Sequence, residues 1–221
     1  MKNVVISLLI LIFLLVSLLS GCDEPGYRAS YDEYGNIVSS PDPSYKVCSD
    51  ESGQKTITIK EGIGHFSMEY PSGFELVNIK IDNSGGIESL FVDFIGPVTE
   101  NVGFPWIHIY IQGTDPPKTE YIVKTELSRA RALVEFKLLD ESTITVAGVT
   151  AYQYSFHYDV YPYDPRDIPP EHHTLVTRLK REVYFDHSGL LWNLSLSTDL
   201  SREEHDMAVF DKVLESFKVL E

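Results

Sequence analysis

The sequence has little cysteine and little positive charge. Only Cys22 and Cys48 occur among 221 residues, too few for a disulfide framework or a cysteine-based metal site. Lysine and arginine total 18 against 33 aspartates and glutamates, a formal net charge of −15. This balance argues against nucleic acid binding, which depends on clustered Lys and Arg. It also argues against a domain that lies flat on anionic lipid.

Motifs of familiar enzymes are missing as well. The chain has no zinc-protease helix motif, no phosphate-binding glycine-rich loop and no Gly-x-Ser-x-Gly elbow. Asp186, His187 and Ser188 are the residue types of a catalytic triad. Neighbours on a tight turn cannot line up nucleophile, base and orienting carboxylate. We therefore expect no enzyme and no cofactor.

The first residues carry the clearest signal. After Lys2, the stretch from Val4 to Leu19 is interrupted only by two serines. It is short for a membrane-spanning helix, which needs about 20 apolar residues, and its charged start and small-residue end are typical of a signal peptide. The residues Leu-Ser-Gly-Cys that end at Cys22 resemble the lipobox of bacterial lipoproteins. An uncleaved anchor in which Cys22 has no role is the alternative.

The lipobox resemblance implies a maturation and a location. Residues 1–21 would be a lipoprotein signal peptide, removed ahead of Cys22, whose sulfur carries a diacylglyceryl group. Several acyl chains, palmitate among them, would hold the protein stably on the extracytoplasmic face of the cell membrane. Residues 22–54 are poor in aliphatic side chains and predict a flexible tether. Cys48, in this polar stretch, is expected to be a free thiol without a role.

Residues 55–221 predict one globular domain. Alternating apolar residues indicate strands, for example Ile107, Ile109 and Ile111 on one face, with His108 on the other. A helix is expected after residue 117, and a second after a capping box that begins at Ser201. The apolar stripes of the two helices are Val123, Leu127, Ala130 and Val134 in the first, and Met207, Phe210, Val213, Leu214 and Phe217 in the second. Strands that mostly follow strands predict an α+β fold with a largely antiparallel sheet.

Three motifs make the domain similar to a known family. They are the start Phe-Ser-Met-Glu-Tyr-Pro-Ser-Gly-Phe at residues 66–74, the hairpin Thr-Val-Ala-Gly-Val-Thr-Ala-Tyr-Gln-Tyr at 145–154, and the ending Phe-Asp-Lys-Val-Leu-Glu-Ser-Phe-Lys at 210–218. Together they resemble the PsbP-like family over most of residues 60–221. The resemblance implies an α/β/α sandwich. Members of that family are mainly non-enzymatic accessory proteins, best known on the lumenal side of photosystem II, and cyanobacterial members can be lipoproteins.

One cluster has the residue types of a metal site. Glu171, His172 and His173 lie on a proline-rich loop with Asp164 and Asp167 nearby, and imidazole with carboxylate suits zinc or manganese. Successive residues of an extended segment point to opposite sides, so the two histidines would not chelate one ion together. We expect a solvated loop edge and no metal site.

Three function classes follow from these observations. The first, which we favour, is a membrane-anchored, non-catalytic lipoprotein that docks on another extracytoplasmic protein. A lipoprotein that binds a small ligand or metal through the long loop is the alternative. An enzyme without a familiar motif is the third. An exposed apolar patch would favour the first class, a polar-lined pocket the second, and converging titratable groups the third.

Overall fold

The computed structural model describes residues 21–23, 30–31, 37–38, 45–49, 54–60, 62–70, 73–83, 86–98, 103–113, 118–161 and 175–220. The strands are β1 (Gly21–Asp23), β2 (Ser30–Tyr31), β3 (Ile37–Val38), β4 (Tyr45–Ser49), β5 (Lys55–Ile59), β6 (Phe66–Tyr70), β7 (Glu75–Asp82), β8 (Ser89–Ile95), β9 (Trp106–Gln112), β10 (Lys137–Val146), β11 (Val149–Val160), β12 (Val176–His187), β13 (Leu190–Asp199) and β14 (Lys218–Val219). The helices are α1 (Thr119–Ala130) and α2 (Glu203–Ser216).

A seven-stranded antiparallel sheet forms the centre of the fold. Its strand order is β10–β11–β12–β13–β9–β8–β7, so most neighbours in the sheet are neighbours in the chain. A smaller antiparallel sheet has the order β1–β4–β5–β6–β14, and β2 and β3 form a two-stranded sheet. The predicted α+β class with a largely antiparallel sheet is therefore confirmed. Among the described residues, no helix is long and apolar enough to span a membrane.

The main core lies on one face of the large sheet, which we call the inner face. There the side chains of β8, β9, β12 and β13 pack against the smaller sheet and α2. Its centre is aromatic, since Trp192 stacks on Phe185 at 5.8 Å and meets Phe217 edge-on at 5.7 Å. Phe66 of the smaller sheet stacks on Phe217 at 5.2 Å. These contacts hold the chain's last residues against both sheets.

The opposite face of the large sheet, the outer face, carries a second and smaller core. Val123, Leu127 and Ala130 of α1 pack on Tyr154 and neighbouring aromatic side chains. These three apolar positions are those that the helical spacing predicts. The predicted stripe is wrong at its fourth member, because α1 ends at Ala130 and the Val134 side chain is 53% exposed.

The hairpin between β10 and β11 is confirmed, and its turn explains its sequence. Val146 pairs with Val149, so Ala147 and Gly148 form a two-residue turn with φ angles of 49° and 79°. A two-residue hairpin turn of type I′ needs such positive φ values at both central positions. Gly148 adopts this conformation at no steric cost.

The start of α2 differs from the prediction. Ser201 does not cap the helix, because it lies in a 3-10 turn at Leu200–Arg202, and the Asp199 carboxylate accepts a hydrogen bond from its backbone N–H. The apolar stripe of α2 is confirmed at Phe210, Val213 and Leu214, which are buried. Met207 is half-buried, and Phe217 is buried but follows the end of the helix. Asp206 on the same helix is also completely buried and accepts hydrogen bonds from Thr198 and Arg202.

Part of the predicted tether is ordered. Residues 45–49 form β4, whose register pairs Val47 with Ile57 of β5, and the Val47 side chain packs against the main core. The prediction of a flexible segment over 22–54 is therefore corrected at these positions. Tyr45 and Val47 supply apolar contacts that are too few to be recognised from composition.

Cys48 also needs a correction. It is disulfide-bonded rather than a free thiol. The backbone of Cys22, the only other cysteine of the chain, lies opposite Cys48 in the pairing of β1 with β4. The residues lie 26 positions apart in the sequence, and only the strand register brings their backbones together.

Candidate functional site on the outer face of the large sheet

A line of polar side chains crosses the outer face of the large sheet, perpendicular to its strands. Strand register places its members directly beside one another, and residues paired across antiparallel strands project from the same face. This polar row consists of Asn78, Asp93, His108, Ser195, Glu182 and Tyr154. Helix α1 covers the Tyr154 end, where its apolar stripe packs.

Asp93 is the best-connected member of the polar row. Its Oδ1 accepts hydrogen bonds from His108 Nδ1 at 2.5 Å and from Trp106 Nε1 at 3.0 Å, and its Oδ2 accepts from Asn78 Nδ2 at 2.8 Å. Burial would raise the pKa of Asp93, which is only 6% exposed, but the hydrogen bonds from His108, Asn78 and Trp106 outweigh it and lower that pKa. The row therefore contains a buried, ionised carboxylate whose lone pairs are well satisfied.

The pair of Asp93 and His108 resembles the base and orienting carboxylate of acyl-transfer enzymes. Ser195 lies opposite His108 on β13. An aspartate, a histidine and a serine, the residue types of a catalytic triad, therefore follow one another along the polar row. However, no hydrogen bond joins the Ser195 hydroxyl to the His108 imidazole in the described part of the chain. The row thus has an oriented imidazole without the contact that would activate a nucleophile.

The covered end of the row is built from buried polar groups. Glu182 is 5% exposed. Its carboxylate accepts a hydrogen bond from Asn193 Nδ2 at 2.8 Å and forms a salt bridge with Lys180 Nζ at 2.5 Å. Burial, and then the Glu182 carboxylate, raise the pKa of Tyr184 and of Tyr154 well above the usual range. Both phenol groups therefore stay neutral. The Tyr154 end of the polar row packs against α1 and helps to hold this helix in position.

The open end of the row is flanked by aromatic rings, which we call the aromatic strip: Phe91, Phe104, Trp106 and Tyr110. Phe91 lies 5.0 Å from Tyr110, and Phe104 lies 6.2 Å from Trp106. Trp106 is 43% exposed, although the hydrogen bond from its indole N–H to Asp93 fixes its orientation. An exposed, immobilised indole beside further rings is a surface suited to binding another molecule.

The candidate metal ligands that the sequence suggests, Glu171, His172 and His173, lie outside the described residues. The absence of a metal site there stays a prediction. Two histidines elsewhere in the domain have carboxylate partners, since His157 Nε2 is 2.9 Å from Glu203 Oε2 and His108 is bonded to Asp93. Within the described ranges, no group of three or more His, Cys, Asp or Glu side chains is arranged to hold a metal ion.

The Asp186–Ser188 turn does not assemble a triad. The Ser188 hydroxyl lies 2.9 Å from His187 Nδ1 on the exposed turn. The Asp186 carboxylate instead accepts the backbone N–H of Thr119 at 3.4 Å, at the start of α1. Within the described residues, Asp186 and His187 therefore form hydrogen bonds with different partners and not with each other, as their tight spacing on the turn predicts.

Asp93 is the residue that the sequence analysis overlooked. It interrupts the apolar stretch Leu-Phe-Val-Asp-Phe-Ile of β8. A single carboxylate in a strand that is otherwise apolar needs partners when buried, and this pattern is the signal that could have identified it. Its partner His108 was expected only on the strand face opposite Ile107 and Ile109, which is confirmed, and its side chain is 31% exposed.

Comparison with known proteins extends the description of the fold. No protein-family model and no curated protein matches the sequence. The chain is similar to the crystal structure of LpqN, involved in cell envelope biogenesis of Mycobacterium tuberculosis, with 14% identity over 73% of this chain and 87% of that chain and a TM-score of 0.50. It is also similar to the solution structure of cyanobacterial PsbP (CyanoP) from Synechocystis sp. PCC 6803, with 17% identity over 86% of this chain and 100% of that chain and a TM-score of 0.45.

The class of protein that these findings define is an α+β sandwich that shares its fold with LpqN. At this level of identity a structural likeness shows the fold alone. PsbP, the family that the sequence motifs resemble, is represented among the similar structures. Function has to be argued from the surface of this chain itself.

Proposed function

We propose that this protein is a non-catalytic accessory lipoprotein of the cell envelope, which binds a second extracytoplasmic protein through the aromatic strip. The observation that carries the proposal is the Trp106 indole, 43% exposed and fixed by its hydrogen bond to buried Asp93. Tryptophan and tyrosine dominate the binding energy of protein interfaces. Because the ring is already immobilised, little conformational entropy is lost when a partner covers it.

The charge of the chain indicates the chemistry of the partner. With a formal net charge of −15, the protein attracts basic surfaces and repels acidic ones. Lys80, an exposed lysine on the outer face that pairs with Phe91 in the strand register, forms a salt bridge with Asp82 at 3.3 Å. We therefore propose a partner with a basic contact surface, whose association is accelerated by electrostatic attraction and slowed by salt.

The envelope location rests on two supports. The leader and the lipobox resemblance at Cys22 support a location on the extracytoplasmic face of the membrane. LpqN, which shares the fold, is described as involved in cell envelope biogenesis. Lipid anchoring itself is part of the proposal.

Site-specific photo-crosslinking in native membranes tests the docking surface. A photoreactive residue in place of Lys80, on the outer face, is compared with the same residue in place of Lys212, which is exposed on α2. We expect the Lys80 position alone to capture one protein with a basic surface. Equal capture at both positions, or none at Lys80, would contradict the proposal.

The captured protein is then purified and its affinity for the full chain measured. Trp106→Ala should weaken binding by about tenfold or more, as expected for an interface anchor. Tyr121→Ala is the matched control, because Tyr121 is a 65% exposed aromatic residue on α1, outside the aromatic strip. If the two variants bind equally well, the aromatic strip is not the docking surface.

A further inference from the structure

A second candidate site lies on the opposite, inner face of the large sheet, far from the aromatic strip in the strand order. It is a pocket of about 350 Å³ between α2 and strands β10, β11 and β12. The residues that form its chemistry are Asp140, Gln153, Ser155, Arg181, Met207 and Asp211. Its volume is at the lower end of the range for small-molecule sites.

Arg181 is the fixed positive charge of this pocket. The residue is only 8% exposed, and its guanidinium lies over the Phe210 ring at 5.6 Å. Its Nε and Nη2 donate to Gln153 Oε1 at 3.2 and 2.8 Å, and its Nη1 donates to Asp211 Oδ1 at 2.6 Å. A guanidinium has five N–H groups, so two N–H groups are left over in the described structure.

The partners of Arg181 are themselves held in place. The Gln153 amide N–H₂ donates to Ser142 Oγ at 2.8 Å and to Asp140 Oδ2 at 3.3 Å, which fixes its oxygen toward Arg181. This chain of hydrogen bonds runs from one side of the pocket to the other. The guanidinium is thus oriented before any ligand arrives, which lowers the entropic cost of binding.

Ser155 supplies a polar group on the floor of the pocket. It is 7% exposed and lines the pocket. Its hydroxyl can therefore donate a hydrogen bond to an acceptor group bound there. Ser155 lies directly beside Arg181 in the strand register, so one acceptor group could receive bonds from both.

The charges of the pocket restrict the ligand. Asp140 is exposed, and the Asp211 side chain is 54% exposed, so two carboxylates stand at the rim around one buried guanidinium. The rim carboxylates repel a simple anion, and the charge of Arg181 is already paired with Asp211. A molecule with a carboxylate and an ammonium group can contact both the remaining N–H groups of Arg181 and the rim carboxylates, and Met207 offers an apolar wall to its side chain.

From this geometry we infer that the inner-face pocket binds a small zwitterion of the free amino acid class. The ligand carboxylate accepts hydrogen bonds from Arg181 and Ser155. Its ammonium group faces Asp140 and Asp211. This site is independent of the proposed docking surface, since the two lie on opposite faces of the same sheet.

Calorimetric titration of the full mature chain with single free L- and D-amino acids tests the inference. Propionate, which has no ammonium group, and ethylamine, which has no carboxylate, are the matched probes. We expect saturable binding of at least one amino acid and none of the two single-charge compounds. No saturable binding of any amino acid at millimolar concentration, or equal binding of propionate or ethylamine, would overturn it.

Two variants locate the binding. Asp211→Asn and Ser155→Ala each remove one proposed ligand contact and should weaken the affinity by about tenfold, the usual effect of losing a hydrogen bond to a charged group. His108→Gln, on the outer face, should leave the affinity unchanged. Circular dichroism and urea unfolding check that each variant is folded. Binding that is insensitive to both pocket variants contradicts the assignment.

Discussion

The Asp93 carboxylate and the His108 imidazole, on neighbouring strands of the large sheet, are joined by a 2.5 Å hydrogen bond. The pair links a buried charge to a partly exposed ring, and it fixes the base of the aromatic strip through Trp106. Because three donors converge on this one buried carboxylate, we expect Asp93 to contribute to the stability of the fold.

Asp93→Asn should lower the free energy of unfolding at neutral pH by about 1.5–3 kcal/mol, the range for hydrogen bonds to a charged group. Asparagine has one acceptor oxygen in place of two, and its amide N–H₂ would face other donors. Urea unfolding measures the change. Glu141→Gln, at an exposed position of β10, is the control and should change stability by less than about 0.5 kcal/mol. Equal stability of the two variants would show that the Asp93 bonds contribute little.

The stability of the domain should fall on acidification, and two buried aspartates give the direction. Burial would raise the pKa of Asp93 and of Asp206, but their hydrogen bonds lower both below the usual value of 3.8. The folded chain therefore binds these protons less readily than the unfolded chain. Their stabilisation is complete above the unfolded pKa and is lost as the pH falls through the folded pKa.

This dependence is checked by unfolding the protein in urea at a series of pH values, from neutral pH down to the folded pKa of these aspartates. The quantity compared is the urea concentration at the midpoint of unfolding. We expect a steady midpoint at neutral pH and a decline that begins as the pH approaches 3.8, the unfolded value. Asp206→Asn should be less stable at neutral pH, and its decline on acidification should be shallower. A midpoint that rises on acidification would contradict the sign of both pKa shifts.

The buried face of α2 gives a third prediction. Phe210 is completely buried in the main core, so Phe210→Ala should cost about 3–5 kcal/mol of unfolding free energy, as truncation of a buried phenylalanine does. Lys212→Ala, two residues further on the exposed side, is the control and should be nearly neutral. A loss of less than about 1 kcal/mol for Phe210→Ala would mean that the buried face has been misassigned.

Local sequence patterns predict much of this fold because strands and helices bury side chains at fixed periods. Ile107, Ile109 and Ile111 alternate in the sequence, and all three are completely buried on the inner face. The end of α1 is less predictable, since Val134 continues the helical spacing but lies beyond the helix. The chain turns away there, and Glu135 adopts a positive φ of 49°, which no periodicity indicates.

The candidate site could not be predicted from the sequence, because it depends on the register of strands far apart in the chain. Asp93 and His108 are 15 residues apart, and Ser195 reaches the same row only through the pairing of β13 with β9. A shift of one residue in either pairing would move these side chains to different faces. The sequence alone therefore shows an aspartate in one strand and a histidine in another, but not the contact between them.

The lipobox resemblance and the structure differ in what they assign to the two cysteines of the N-terminal segment. The lipobox resemblance predicts a lipid on the Cys22 sulfur, whereas the structure shows Cys48 in a disulfide. Cys22 is the only other cysteine of the chain, and its backbone lies opposite Cys48. A sulfur in a thioether cannot also form a disulfide, so a lipidated chain and an intrachain disulfide exclude each other.

We expect the mature chain from membranes to begin at Cys22 and to carry lipid there. The reason is that the lipobox resemblance implies attachment of lipid to the Cys22 sulfur before the signal peptide is cleaved. Intact-mass spectrometry measures both the N-terminus and the lipid. Cys48→Ser, the control, should remain lipidated and membrane-bound, whereas Cys22→Ala should be released or remain an uncleaved precursor. An intact Met1 terminus in the membrane form, or a Cys22 sulfur without lipid, would contradict the lipoprotein assignment.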